Sequence, residues 1–352
     1  DKSQIISFML FTLIMVGAMF YFQSRNQTEE DAKKQEIAKT EQVAAKATKT
    51  AVIENVNPDI QAASIQTVPL QNKELKLEIS TLGAQISNVQ LPEYNAYDII
   101  KDKSDLPLLL IHKNSANYGF EVVNTKDLVF TPTVKGNVVT MTHQLNGAVI
   151  QFVYTLMPKY SVDFKIRTQG LAQISNNNTA KFVWNYNVRA LEKGRSQEQT
   201  HSEFSYSFNN YNDYDYDGNK NMDEPDETLN WIGVKQQFFA SVLEAKSGFT
   251  QSRGSQVTVD EGEYLKTLEY SGNVAMNGAE LNQDFTWYFM PLDLPLLKSY
   301  DKNFDEILPL GWSFIGSMNR WFFMPMYDLI SGWGIAAGWV IFLMTIIVKL
   351  IL

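Results

Sequence analysis

The chain has 352 residues and a net charge of −9, a balance that repels phosphates and makes a poor direct nucleic-acid binder. It has no cysteine, which excludes disulfides, thiolate metal centres and a cysteine nucleophile, and its three histidines, His112, His143 and His201, are too scattered to read as a metal motif. With 45% apolar residues a large core can be buried, and 16 Tyr and 21 Phe favour β-structure over a helical bundle.

Apolar segments flank a polar middle, the order expected of membrane, domain, membrane. Ile5 to Phe22 carries no charge. As a helix it would rise roughly 27 Å, close to the hydrocarbon thickness. A cleaved signal peptide is the alternative, but the segment is long for one and no small-x-small cleavage site follows. An uncleaved transmembrane anchor over 1–22 is therefore expected. Residues 23–66 are rich in Ala, Glu, Lys, Thr and Gln and lack a continuous apolar stripe. They read as a flexible linker, with a solvated helix of mixed charge over Thr28 to Thr50 as the other reading.

From Val68 the apolar period becomes two. Leu75, Leu77 and Ile79 alternate with Lys76, Glu78 and Ser80, and Thr81-Leu82-Gly83-Ala84 interrupts before Ile86, Val89 and Leu91. Apolar runs over 138–145 and 148–156 flank Asn146-Gly147, the dipeptide best suited to a type I′ hairpin turn. Tyr160, Val162, Phe164 and Ile166 alternate again, and Asn277-Gly278 offers a second hairpin turn before Asp284–Met290. Trp231–Ala245 fits helix or strand. The whole predicts an antiparallel sandwich or barrel over 67–306.

Asp213–Glu224 fits a calcium-loop template, with oxygens from Asp213, Asp215, Asp217, the backbone of Asn219, Asn221 and Glu224, and Gly218 at the sharp turn. A hard cation needs six to eight converging oxygens, which requires the chain to curl. Lys220 stands where such loops carry an apolar residue, and no helices flank the segment. Structural calcium and an exposed acidic turn both remain open readings.

Within 307–333, Ser313, Gly316, Ser317 and Arg320 share one helical face, and Phe314, Ile315, Met318 and Phe322 the other. Trp312, Arg320 and Trp321 on such a helix suit the headgroup plane of a bilayer. Pro325 is expected to end it. Residues 334–352 read as a second transmembrane helix, interrupted by Lys349 alone. Lys349 either snorkels to the headgroups or faces a polar cavity within the membrane.

Several strings resemble the YidC insertase family. They are Thr81-Leu82-Gly83-Ala84 with Ile86 and Val89; Trp231-Ile232 followed by Lys235-Gln236-Gln237-Phe238-Phe239-Ala240; and Leu310-Gly311-Trp312 through Asn319-Arg320-Trp321-Phe322-Phe323 to Pro325 and Ile346-Ile347-Val348-Lys349. The resemblance spans nearly the whole chain and is strongest after residue 305. It implies a mixed fold: an N-terminal transmembrane helix, an all-β periplasmic supersandwich similar to sugar mutarotases, an amphipathic interfacial helix, and the start of a helical membrane core whose remaining groove-forming helices this sequence lacks. It implies an inner-membrane insertase and chaperone, without covalent chemistry or a required cofactor. Its partners would be nascent inner-membrane proteins, the Sec translocon and the lipid bilayer. It also places Lys349 in a hydrophilic substrate groove, where the family usually carries Arg. The rival expectation is a membrane-anchored carbohydrate-binding or mutarotase-like protein, which would gather the histidines with carboxylates in one pocket.

Overall fold

The computed structural model describes residues 65–351 apart from 114, 174–178, 223–224, 309, 312–315 and 317. The expected anchor and nearly all of the linker lie outside the described residues. Every strand pairing is antiparallel.

A small sheet runs in order through β1 (Thr67–Gln71), β2 (Lys76–Ser80), β3 (Ile86–Asp98) and β4 (Lys103–Ile111). A 12-stranded sheet has the path β12 (Asp213–Tyr216), β11 (Glu203–Phe208), β13 (Leu229–Lys235), β14 (Phe239–Thr258), β16 (Gln283–Pro291), β9 (Ser161–Gln169), β8 (Ala148–Met157), β7 (Val138–Leu145) and β6 (Thr131–Lys135). An arm of β5 (Ala116–Phe120), β10 (Thr179–Arg189) and β15 (Tyr264–Ala275) joins it through β14. The 20-residue β14 pairs with β13 and β16 by its first half and with β15 by its second, so one strand serves both layers. Register shifts between Thr250 and Arg253 mark where it turns from one to the other.

Aromatic side chains fill the space between the layers. Phe120, Phe182 and Trp184 of the arm meet Phe152, Phe285 and Trp287 of the main sheet, with Phe120 and Phe152 at 6.1 Å and Trp184 and Trp287 at 5.1 Å. Each such pair adds about 0.5–1.5 kcal/mol beyond its area. Two buried tyrosines tie in the small sheet. Ile86 N–H donates to the Tyr118 hydroxyl at 2.9 Å, and the Tyr154 hydroxyl donates to the Ala84 carbonyl at 2.6 Å. Burial pushes both phenols up, so they stay neutral donors and acceptors.

The period-two runs form strands as expected, with Leu77, Ile79, Val162, Phe164 and Ile166 buried. Asn146 and Gly147 take φ +50° and +86°, and Leu145 pairs with Ala148, the geometry a type I′ turn requires. The ambiguous Trp231–Ala245 is strand, split between β13 and β14. The second turn differs from expectation. Asn277 and Glu280 bridge each other, so Gly278 and Ala279 are the central pair, and Gly278 alone has positive φ, +64°. It joins no hairpin: β15 pairs with β10 and β14, and β16 with β14 and β9.

Short helices follow. They are α1 (Arg195–Thr200), α2 (Leu294–Lys298), α3 (Met324–Ser331) and α4 (Ala337–Ile351). Pro325 does not end the helix. A π-helical segment, Asn319–Phe323, leads directly into α3, and Pro325 sits in the first turn of that helix. The π-helical turns before it already interrupt the regular ladder that Pro325 cannot complete, and the helix continues to Ser331.

Candidate membrane interface

Over residues 67–308 the exposed large apolar side chains are scattered: Ile100, Val134, Tyr216, Phe238 and Val257. Over 318–350 they become nearly continuous. Trp321 is 84% exposed, Leu350 81%, Leu329 67% and Trp333 65%, with Trp339, Ile341 and Phe342 beside them. An apolar surface of this extent suits contact with another apolar phase or partner. No helix among the described residues is both long and apolar enough to cross a membrane. The expected second span is the 15-residue α4.

Arg320 ties this region to the β-domain. Its guanidinium donates to Asp305 at 3.2 Å and to Glu306 at 2.8 Å. The two carboxylates belong to the 3-10 turn Phe304–Ile307, whose Phe304 and Ile307 are buried. These partners were not singled out from sequence, although an arginine on an apolar helix needs acidic partners nearby. Trp312 lies outside the described residues. Trp321 projects from the π-helical segment.

Lys349 is exposed on α4 and lines a groove of about 510 Å³ between α3 and α4. Phe323, Tyr327, Ile341, Met344 and Val348 make its apolar wall, and Thr345 is its other polar group. A second crevice of about 860 Å³ lies between α2 and these helices, and a third of about 450 Å³ lies beside Phe208, Asp213 and Lys246. No histidine lines any of the three. His143 Nδ1 is 2.6 Å from the Val129 carbonyl, His201 Nδ1 is 2.8 Å from the Gln197 carbonyl, and burial lowers the pKa of His112 on its separate loop. The structure therefore does not gather the three into one acid–base pocket.

The acidic segment begins as a strand. Asp213 and Asp215 lie in β12, paired with β11, so the chain there is extended. The Asp213 carboxylate accepts from Asn209 at 2.8 Å, Asn219 Oδ1 from Lys266 at 2.7 Å, and Asn221 Oδ1 from the backbone of Gln256 at 3.0 Å. Glu224 lies outside the described residues, and among those described no group of three or more acidic or histidine side chains is placed to hold a metal ion. For Asp213 and Asp215 the extended backbone of 213–216 is the physical reason. Alternate residues of a strand share a face but do not converge on a point.

The YidC periplasmic domain family matches residues 67–326. The chain is 28% identical to the membrane protein insertase YidC of Parabacteroides distasonis and 30% identical to that of Phocaeicola vulgatus, each alignment covering 100% of this chain. It spans 62% and 61% of those two relatives. Among solved structures, the periplasmic domain of Thermotoga maritima YidC aligns with TM-score 0.35 and 10% identity over 69% of this chain and 92% of that one. A galactose mutarotase related enzyme from Lactobacillus acidophilus aligns with TM-score 0.40 and 9% identity over 64% and 97%. The family match takes in every strand and continues past Arg320 into α3, and the chain belongs to the YidC periplasmic domain family.

Proposed function

We propose that this chain works as part of an inner-membrane protein insertase, with its β-domain in the periplasm, residues 1–22 and 334–352 in the bilayer, and 307–333 at the headgroups. The observation that carries the reading is the exposed apolar surface over 318–350, set beside the groove that Lys349 lines. The relatives named membrane protein insertase support it.

The mechanism is physical rather than covalent. A nascent membrane segment brings an apolar helix and a polar flank. The flank needs a polar place to sit while the helix partitions into lipid, because burying unpaired polar groups in hydrocarbon costs several kcal/mol, about 2–7 for each neutral group. Lys349 and Thr345 supply polarity within an apolar wall, and the ammonium attracts acidic residues of the flank more strongly there than in water. No nucleotide or cofactor enters this scheme. The Sec translocon is the proposed partner when the β-domain acts with other machinery.

Depleting the host's native insertase and expressing the full-length gene tests this. Rescue by the natural sequence and by Lys349→Arg, with failure of Lys349→Ala and Lys349→Glu, is the expected result. Rescue by all four would leave Lys349 a mere anchor. Failure of the natural sequence despite good expression would overturn the insertase reading.

A further inference from the structure

The crevice between α2 and α3 is not used by the mechanism above. It is lined by the apolar Leu294, Leu310, Phe323 and Met344 and by the charged Lys298, Asp293 and Asp328. Phe323, Tyr327 and Met344 line both this crevice and the α3–α4 groove, so the two spaces adjoin across these side chains. The volume, about 860 Å³, is that of an ordinary small-molecule site. Its polar groups are largely uncommitted. The Lys298 ammonium and the Asp328 carboxylate make no ion pair or hydrogen bond among the described residues, and the Asp293 carboxylate spends Oδ1 alone, on the Leu296 N–H at 2.9 Å.

We propose that this crevice binds one membrane phospholipid with a primary-ammonium head group, its phosphate on Lys298, its ammonium on Asp328 and Asp293, and an acyl chain running into the α3–α4 groove. The proposal rests on the membrane reading and goes beyond it by naming a lipid. Charge selects the head group. One cation and two carboxylates match a zwitterion. An anionic glycerol head group would meet two carboxylates with one compensating lysine. A choline head group presents no N–H to donate, so it forfeits the hydrogen bonds that make an ammonium–carboxylate pair strong. The apolar walls and their continuity with the exposed helices favour a lipid over a soluble zwitterion.

The test uses the full-length protein in nanodiscs of equal phosphatidylethanolamine, phosphatidylglycerol and phosphatidylcholine, with retained lipid read by native mass spectrometry. The natural protein is expected to keep one ethanolamine lipid in preference to either other by about fivefold or more, the worth of a partly desolvated ion pair. Asp328→Asn should lose the preference over choline lipid, and Lys298→Gln should lose retention of all three. Equal retention of the three lipids, or a preference that neither variant moves, overturns the proposal. Vesicle flotation separates the two ideas. A protein that floats but shows no preference sinks the lipid site alone. One that does not float sinks the membrane reading, and this proposal with it.

Discussion

Glu198 of α1 is 1% exposed and is held by backbone donors, with Leu191 N–H at 3.0 Å and Glu192 N–H at 3.1 Å. Burial outweighs these donors and pushes its carboxyl up to about 7, from an ordinary 4.5. The folded chain therefore keeps a proton that the unfolded chain releases near 4.5. Between about pH 4.5 and 7 the folded state binds more protons, so this group's contribution to stability falls as pH rises through that window. Glu198→Gln cannot ionise. The difference in unfolding free energy between variant and natural protein, from urea titrations, should move in the variant's favour from pH 5 to pH 7, by an amount of order 3 kcal/mol at most. A difference independent of pH would show that Glu198 does not titrate there. Lys266 offers a second residue-scale lesson. Its ammonium, 1% exposed as a residue, donates to the Ser202 carbonyl, to Asn219 Oδ1 at 2.7 Å and to Gln256 Oε1 at 3.0 Å. A lysine thus gathers oxygens around the loop that the motif assigned to a metal, and burial lowers its pKa.

Among the elements, the β7–β8 hairpin rests most on one turn. Gly147 at φ +86° occupies backbone space that an L side chain adopts at a cost of about 1–2 kcal/mol. Gly147→Ala should lower stability by about that amount, and Gly136→Ala, at +59° with no atom within 4 Å of an added Cβ, gives the cost of backbone strain alone for comparison. Equal stability of the Gly147 variant and the natural chain, measured by urea unfolding, would mean the turn relaxes. This hairpin was legible because its dipeptide and its flanking alternation agree. Trp231–Ala245 was not, because β13 is buried on both faces, with Trp231, Ile232 and Val234 all inside, and a strand buried on both faces loses its period. The arm was illegible for another reason: nothing local says that β14 changes partners half way. The Lys349 groove was legible only as a residue with two readings, since its wall comes from Phe323 and Tyr327 on another helix. Three free sheet edges are blunted by features sequence does show, Pro69 on β1, Pro132 on β6 and the aspartates of β12.

At the scale of the whole described unit, the question is how firmly the β-domain holds the helices that follow it. Trp231 Nε1–H donates to the Lys302 carbonyl at 2.9 Å, the Lys302 ammonium pairs with the fully buried Glu244, and Tyr288 donates to the same carboxylate at 3.0 Å. Those pairs oppose the cost of burying Glu244 and hold its pKa below the ordinary carboxylate range, so it stays a charged anchor. Beyond it, Arg320 carries the tie across to the helices, through Asp305 and Glu306. The path from β13 to α3 is therefore fastened at two points rather than hung on a linker. The chain has no cysteine, so Lys135→Cys on β6 and Leu329→Cys on α3 can take spin labels without background. A narrow distance distribution is expected for the natural pairs. Arg320→Glu sets three carboxylates together and should broaden it, since like charges at this range repel. Adding Asp305→Arg and Glu306→Arg restores the complement with its sign reversed and should narrow it again. If the single reversal leaves the distribution narrow, the packing of Phe304 and Ile307 alone sets the posture, and Arg320 serves the headgroup plane instead.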